Sequence, residues 1–139
     1  MAVLLFVLTG QIGLAQDKAH ADPSTLLLAG ERVVELVDQG LASDLWQYVS
    51  ASVKSTGTAS EEEFIRGIYS VRRPLGMVIG RNWVNISQIN FSGSETTPAG
   101  RYVTVSFLTD FASKPGLQEH VTFLLDEDGI WRITGYSLK

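Results

Sequence analysis

Residues 101–111 read RYVTVSFLTDF, with Val103, Val105 and Phe107 on alternate positions. Successive side chains of a strand point to opposite faces, so this alternation predicts a strand with one buried face. Working outward, period-two patterns rich in β-branched and aromatic residues recur over Met77–Phe91, Gln118–Asp126 and Ile130–Leu138. Lys114-Pro115-Gly116 and Asp126-Glu127-Asp128-Gly129 are turn sequences, so the last three strands are expected to form an antiparallel meander. In the first run the apolar phase changes from Val84 and Ile86 to Ile89 and Phe91, which predicts a β-bulge near Ser87-Gln88 and a bent sheet.

A slip of one residue exchanges the faces of a strand, so Val103, Val105 and Phe107 must share a face with Val121, Phe123 and Leu125. A five-residue loop from Ser113 to Leu117 satisfies this by pairing Phe107 with Phe123, which sets Asp110 opposite His120. A Glu127-Asp128-Gly129 turn with Gly129 at positive φ brings Trp131 and Ile133 to the apolar face and leaves Tyr136 opposite His120 on the other.

Ahead of the strands the spacing is helical. Asp22-Pro23 is a helix start, Leu26, Ala29, Val33, Leu36 and Val37 form an inner stripe, and Gly40 is a stop. Asp44 is expected to cap a second helix with Trp46, Val49 and Val53 inward. Ser60 and Glu63 form a capping box for a third, which buries Phe64, Ile65, Ile68 and Val71 and ends at Pro74. Three helices followed by a bent four-stranded antiparallel sheet make an α+β domain.

The chain has 139 residues, enough for one domain and too few for two. Hydrophobic residues at 45% against charged residues at 19% supply a core and argue against disorder. A net charge of −4 gives no expectation of nucleic-acid or anionic-membrane binding. The absence of cysteine excludes disulfides and thiol chemistry, and two histidines make a multi-histidine metal centre implausible. Residues Ala2–Leu14 form an apolar run too short to span a bilayer, and Ala19-His20-Ala21 is a small-x-small cleavage site. The reading is a secretory signal over 1–21, with Gly13-Leu14-Ala15 as the other candidate site, and a single domain over 22–139 in the periplasm or outside the cell. No cysteine follows the run, so no lipid or other stable membrane anchor is expected.

The segments VRRPLGMVIGR (71–81), FLTDFASK (107–114), EHVT (119–122) and DGIWRITGYSLK (128–139), with VELVDQG (34–40), resemble a family of small secreted bacterial domains catalogued as domain of unknown function number 4019. The resemblance covers about residues 29–139. It implies an NTF2-like, cystatin-like α+β fold, a cone between helices and sheet, and export. It brings no established reaction.

NTF2-like enzymes often place a histidine and an aspartate in that cone as general acid and base. The matching candidates here are His120 and Asp110, with Tyr136 nearby, but the register sets them on the face away from the core as a cross-strand cluster. Arg66, Arg72, Arg73 and Arg81 crowd one segment of an acidic chain. Arg72, Arg73 and Arg81 either grip an anion at the rim of the cone or act structurally, the first two at a helix C-terminus and Arg81 paired with an acid across the sheet. Trp46, Phe64, Phe107, Phe123 and Trp131 point inward and either line a ligand cavity or fill a packed core. Phosphate loops, nucleophile elbows and metal-spaced carboxylates are not found in the sequence, and no metal or cofactor is expected. The leading expectation is a non-catalytic envelope module that binds a small ligand, anionic if the arginines receive it, or a protein partner. The alternatives are a lyase, isomerase or hydrolase using His120 and Asp110, and a structural homodimer joined through Tyr102, Thr104, Leu108, Thr122, Leu124 and Tyr136 on the open sheet face.

Overall fold

The structure is a computed structural model that describes residues 22–56 and 60–139; the expected leader lies outside the described residues. Helix α1 (Pro23–Asp38) starts where Asp22 accepts the Ser24 N–H, carries proline in its first turn, and is followed by Gly40 at φ 76°. Its buried stripe adds Gly30 and Val34 to the expected residues. A Cβ on Gly30 would meet Val105 at 3.0 Å, so the missing side chain lets α1 lie close against the middle of the sheet.

The expected second helix is instead divided. A 3₁₀ helix (Ala42–Tyr48) leads to Val49, which makes a parallel bridge to Ile133, and then to one short turn, α2 (Ala51–Ser55), capped by Ser50. Ser50 donates its backbone N–H to Ile133 O and its hydroxyl to buried Asp126, so pairing with the sheet edge breaks the helix that Asp44 was expected to begin. Leu45 and Ala42 take the buried places, while Trp46 is half-buried against Phe64. Helix α3 (Glu61–Arg72) has the expected capping box, but Ile68 and Arg72 are its buried residues and Val71 is exposed. A short 3₁₀ turn (Arg73–Leu75) follows.

Strands β1 (Val78–Phe91), β2 (Gly100–Phe111), β3 (Leu117–Leu125) and β4 (Trp131–Leu138) form an antiparallel sheet in that order. The molecule is therefore α+β, with the helices on one face. That inner face carries Val103, Val105, Phe107, Val121, Phe123, Trp131 and Ile133, packed on α1, Leu45 and Ile68.

Three register details differ from expectation. The β2–β3 loop runs over Ala112–Gly116 and pairs Thr109 with Leu117, so Phe107 lies opposite Glu119, while Phe123 lies opposite Val103. The slip is an even number of residues, so every side chain keeps its face but meets another partner. The β1 irregularities fall at Val78/Gly80 and Trp83/Asn85, not at Ser87-Gln88. Ile89 and Phe91 change phase because they pack on the other face, where Phe91 meets Tyr102 edge-on at 6.3 Å. The β3–β4 pairing shifts between Thr122/Gly135 and Phe123/Ile133, leaving Thr134 as the extra residue. Trp131 and Ile133 stay inward as expected, but the bulge turns Tyr136 inward as well, opposite Val121.

Candidate functional site

The even slip places Glu119 on the inner face, where it is fully buried. It shares that end of the sheet with Thr109, Tyr136, and Arg81 reaching across from β1. Arg81 donates Nε–H to Glu119 Oε1 at 2.6 Å and both terminal nitrogens to Asp38, at 2.8 and 3.1 Å. Arg72 reaches from the end of α3 to Asp38 Oδ1 with Nε and Nη2, and to Gly76 O with Nη1. Thr109 and Tyr136 donate their hydroxyls to the two oxygens of Glu119.

Two guanidinium ions thus meet two carboxylates, and the local charge sums to zero. Burial by itself would favour a neutral Arg81, but its hydrogen bonds to Asp38 and Glu119 and their negative charges outweigh it, so the guanidinium is held charged. Burial, reinforced by the negative charge on Glu119, pushes the Tyr136 phenol well above the ordinary tyrosine range. Tyr136 is therefore a hydrogen-bond donor here. This arrangement ties α1, α3 and all four strands together.

The outer face is chemically different. Thr104 and Thr122 face each other across β2 and β3 with their hydroxyls 3.0 Å apart, and Thr134 donates to Thr122 O. Together with Thr96, Thr97, Pro98, Phe91, Tyr102, Ile89, Val53 and Gly135 they line a hollow of about 490 Å³. Segment 92–99 forms one wall, held by the Tyr102 hydroxyl donating to Pro98 O. Lower on the same face, Ser106 lies opposite His120, Oγ to Nδ1 at 2.9 Å. Partial burial and the nearby Lys139 charge lower the pKa of His120.

The expected site residues are scattered. Asp110 pairs across to Gly80 and accepts the Gly116 N–H, and the Leu108–Gln118 pair stands between it and His120. Tyr136 is on the opposite face from both. The geometry does not assemble the three into one acid–base group. Arg72 and Arg81 come together, with their forks filled by carboxylates, but Arg73 does not join them: it stacks over Tyr69 at 4.2 Å on the exposed side of α3. Phe107, Phe123 and Trp131 are core side chains, whereas Trp46 lies at the core's margin with Lys54 above its ring. Of the expected contact face, Tyr102 and Leu124 are buried within the protomer.

Asp38, Glu119, Thr109, Thr134 and Gly135 escaped the sequence reading. Glu119 and Thr109 share the alternation phase of Val121 and Val105, and Asp38 follows buried Val34 by one helical turn, so an inward position was readable for all three. Nothing in the local pattern signals that Thr134 is a bulge.

Among the described residues no helix is long and apolar enough to cross a membrane, and no cluster of histidine, aspartate and glutamate is arranged to hold a metal. The fold and its two polar regions define a small α+β domain with a mutually paired, largely buried charged cluster beneath the sheet and a hollow lined by hydroxyls and apolar groups above it. The family model described as a protein of unknown function (DUF4019) matches residues 29–136, and the chain belongs to that family. No curated protein and no solved structure matches it.

Proposed function

We propose that this is an exported, non-catalytic binding module of NTF2-like, cystatin-like architecture, acting in the periplasm or outside the cell, which takes a small ligand on the open face of its sheet. The observation that carries this reading is the contrast in spare bonding capacity. The acids and bases of the inner cluster satisfy one another, whereas the 490 Å³ hollow offers hydroxyls beside apolar walls. Its volume lies within the range of about 300–1,000 Å³ typical of small-molecule pockets. A general acid–base pair needs two groups within reach of one substrate, and His120 and Asp110 do not converge.

Native mass spectrometry of the protein purified from its own envelope, with N-terminal sequencing, tests the reading. A mature chain beginning at Asp22 and carrying a retained small ligand is expected. An uncleaved Met1 in a cytosolic protein would remove the export part, and a chain carrying neither ligand nor partner would remove the binding part.

A second reading, a homodimer, draws support from β1. This long edge strand carries Ile79, Trp83, Val84 and Ile89 as exposed apolar side chains, with Met77 just before it. Exposed apolar edges commonly mark protein contacts. Sedimentation at tens of micromolar, about the range in which weak interfaces fill, should then show a dimer that Trp83→Lys dissociates.

A further inference from the structure

The middle of β4 is an unusual place for glycine. Gly135 sits within a strand, where glycine lacks packing surface and weakens the element by roughly 0.5–1 kcal/mol relative to alanine. Its backbone does not require it, because its φ is not positive. No neighbour requires it either, since a Cβ built there would meet nothing within 4 Å. The register puts Gly135 opposite Thr122 on the outer face, so the missing side chain leaves space at the floor of the hollow. A glycine inside a strand marks a bulge or a place where a ligand or another backbone comes close, and Gly135 adjoins a bulge with the open space of the hollow over it.

The bulge also shapes the floor. Thr134 is the extra residue, and its side chain lines the hollow. Bulges of this kind re-aim side chains next to sites. The floor then carries three hydroxyls, whose bonding can be counted. In the Thr104–Thr122 pair one hydroxyl proton is used between the two oxygens, and the other remains to be donated. Thr134 gives its proton to Thr122 O and keeps its oxygen as an acceptor.

Ile89, Phe91 and Tyr102 form the apolar side, and among the described residues no Asp, Glu, Lys or Arg lines the hollow. A charged ligand group would lose its hydration there without a partner, a cost of several kcal/mol. We infer that this hollow, floored by Thr104, Thr122, Thr134 and Gly135, is a binding site for an uncharged ring compound that lays an apolar face on Ile89 and Phe91 and directs hydroxyl groups at the threonines. The inference rests on the binding-module reading and adds to it the position and chemical class of the ligand.

The test titrates the folded domain with phenyl β-D-glucopyranoside, an uncharged ring with an apolar face and a hydroxyl edge, and with its carboxylate analogue phenyl β-D-glucuronide, following amide and methyl resonances. Saturable shifts at Thr122, Thr134 and Gly135 are expected from the glucoside, with a dissociation constant on the order of 1 mM and about tenfold weaker binding of the glucuronide. Gly135→Leu should fill the floor, keep the melting temperature, and weaken the glucoside by about tenfold or more. Thr122→Val, which keeps shape and removes the hydroxyl, should weaken it by roughly three- to tenfold. Glucuronide binding equal to or tighter than glucoside binding would overturn the uncharged class while leaving the binding-module reading standing. Shifts that persist in Gly135→Leu, or no saturable shift from either probe, would overturn the site. The binding-module reading fails separately, on the mass of the protein taken from its envelope.

Discussion

The two faces of the sheet spend their polar groups in opposite ways. Beneath it, Arg72, Arg81, Asp38 and Glu119 neutralise one another, with Thr109 and Tyr136 completing the bonds of a carboxylate that has no solvent exposure. Above it, Thr104, Thr122 and Thr134 bond to each other and to one carbonyl and keep capacity in reserve. In a low-dielectric interior an unpaired charge is costly, so the inner groups are bound to a single arrangement. The outer hydroxyls are partly solvated and can exchange water for another partner at little cost. The strongest polar interactions in the molecule therefore hold its fold, and the weaker ones are suited to recognition.

The comparison breaks most decisively at Arg81. Arg81→Ala removes the cation that links Glu119 to Asp38, leaving a buried carboxylate with two hydroxyls only. Stripping one member from a buried pair costs about 3–5 kcal/mol, so urea unfolding should show a loss of that size. If the midpoint barely moves, the cluster is not what holds the inner face together.

Next in size is Tyr136→Phe, which deletes one donor to Glu119 and leaves the ring in place. Hydrogen bonds to charged groups are worth about 1.5–3 kcal/mol, and a loss in that range is expected by thermal or chemical unfolding. Because the hydroxyl is on the inner face, the affinity of the outer hollow for the glucoside should be unchanged. A parallel loss of binding would mean that the faces are coupled.

On the outer face, Thr104→Val removes one hydroxyl of a half-exposed pair and leaves a residue well suited to a strand. Stability should change by no more than about 1 kcal/mol, the usual net value of a neutral hydrogen bond. A cost comparable to that of Arg81→Ala would erase the distinction between the two faces.

The smallest effect concerns His120. Its pKa is lowered in the folded state by partial burial and by Lys139, so the unfolded chain takes up a proton at a higher pH than the folded one. Stability from this residue is complete above about 6.5, the ordinary histidine value, and declines as pH falls toward the folded-state value. His120→Gln should flatten the dependence of the unfolding midpoint over that interval. An unaltered slope in the variant would assign the dependence to other groups.

Much of this architecture was legible because it depends on local rules. The Asp22-Pro23 start and the Ser60/Glu63 capping box are set by side chains that satisfy neighbouring backbone groups within a few residues. Alternation assigned Val103, Val105 and Phe107 to the buried face because burial tests the parity of a register. Parity tests nothing more, so alternation is equally satisfied by Asp110 opposite His120 and by the pairing the strands make, Ser106 opposite His120, an even slip away. The divided second helix was hidden for a related reason, since Ser50 is claimed by Ile133 and Asp126 from the far end of the chain.

The sequence by itself determined the α+β class, the starts of the first and last helices, the inward stripe of α1 and the buried face of the alternating apolar residues in β2 and β3. These follow from periodicity and capping, which act over one or two turns of chain. Only the tertiary structure decided which charges meet and which space stays open. Arg81 finds Asp38 and Glu119 through the β2–β3 loop and the end of α1, and one extra residue at Thr134 sends Tyr136 inward while leaving Gly135 beneath an uncharged hollow. Long-range pairing and a bulge decide these outcomes, and both depend on distances between segments that no local pattern contains.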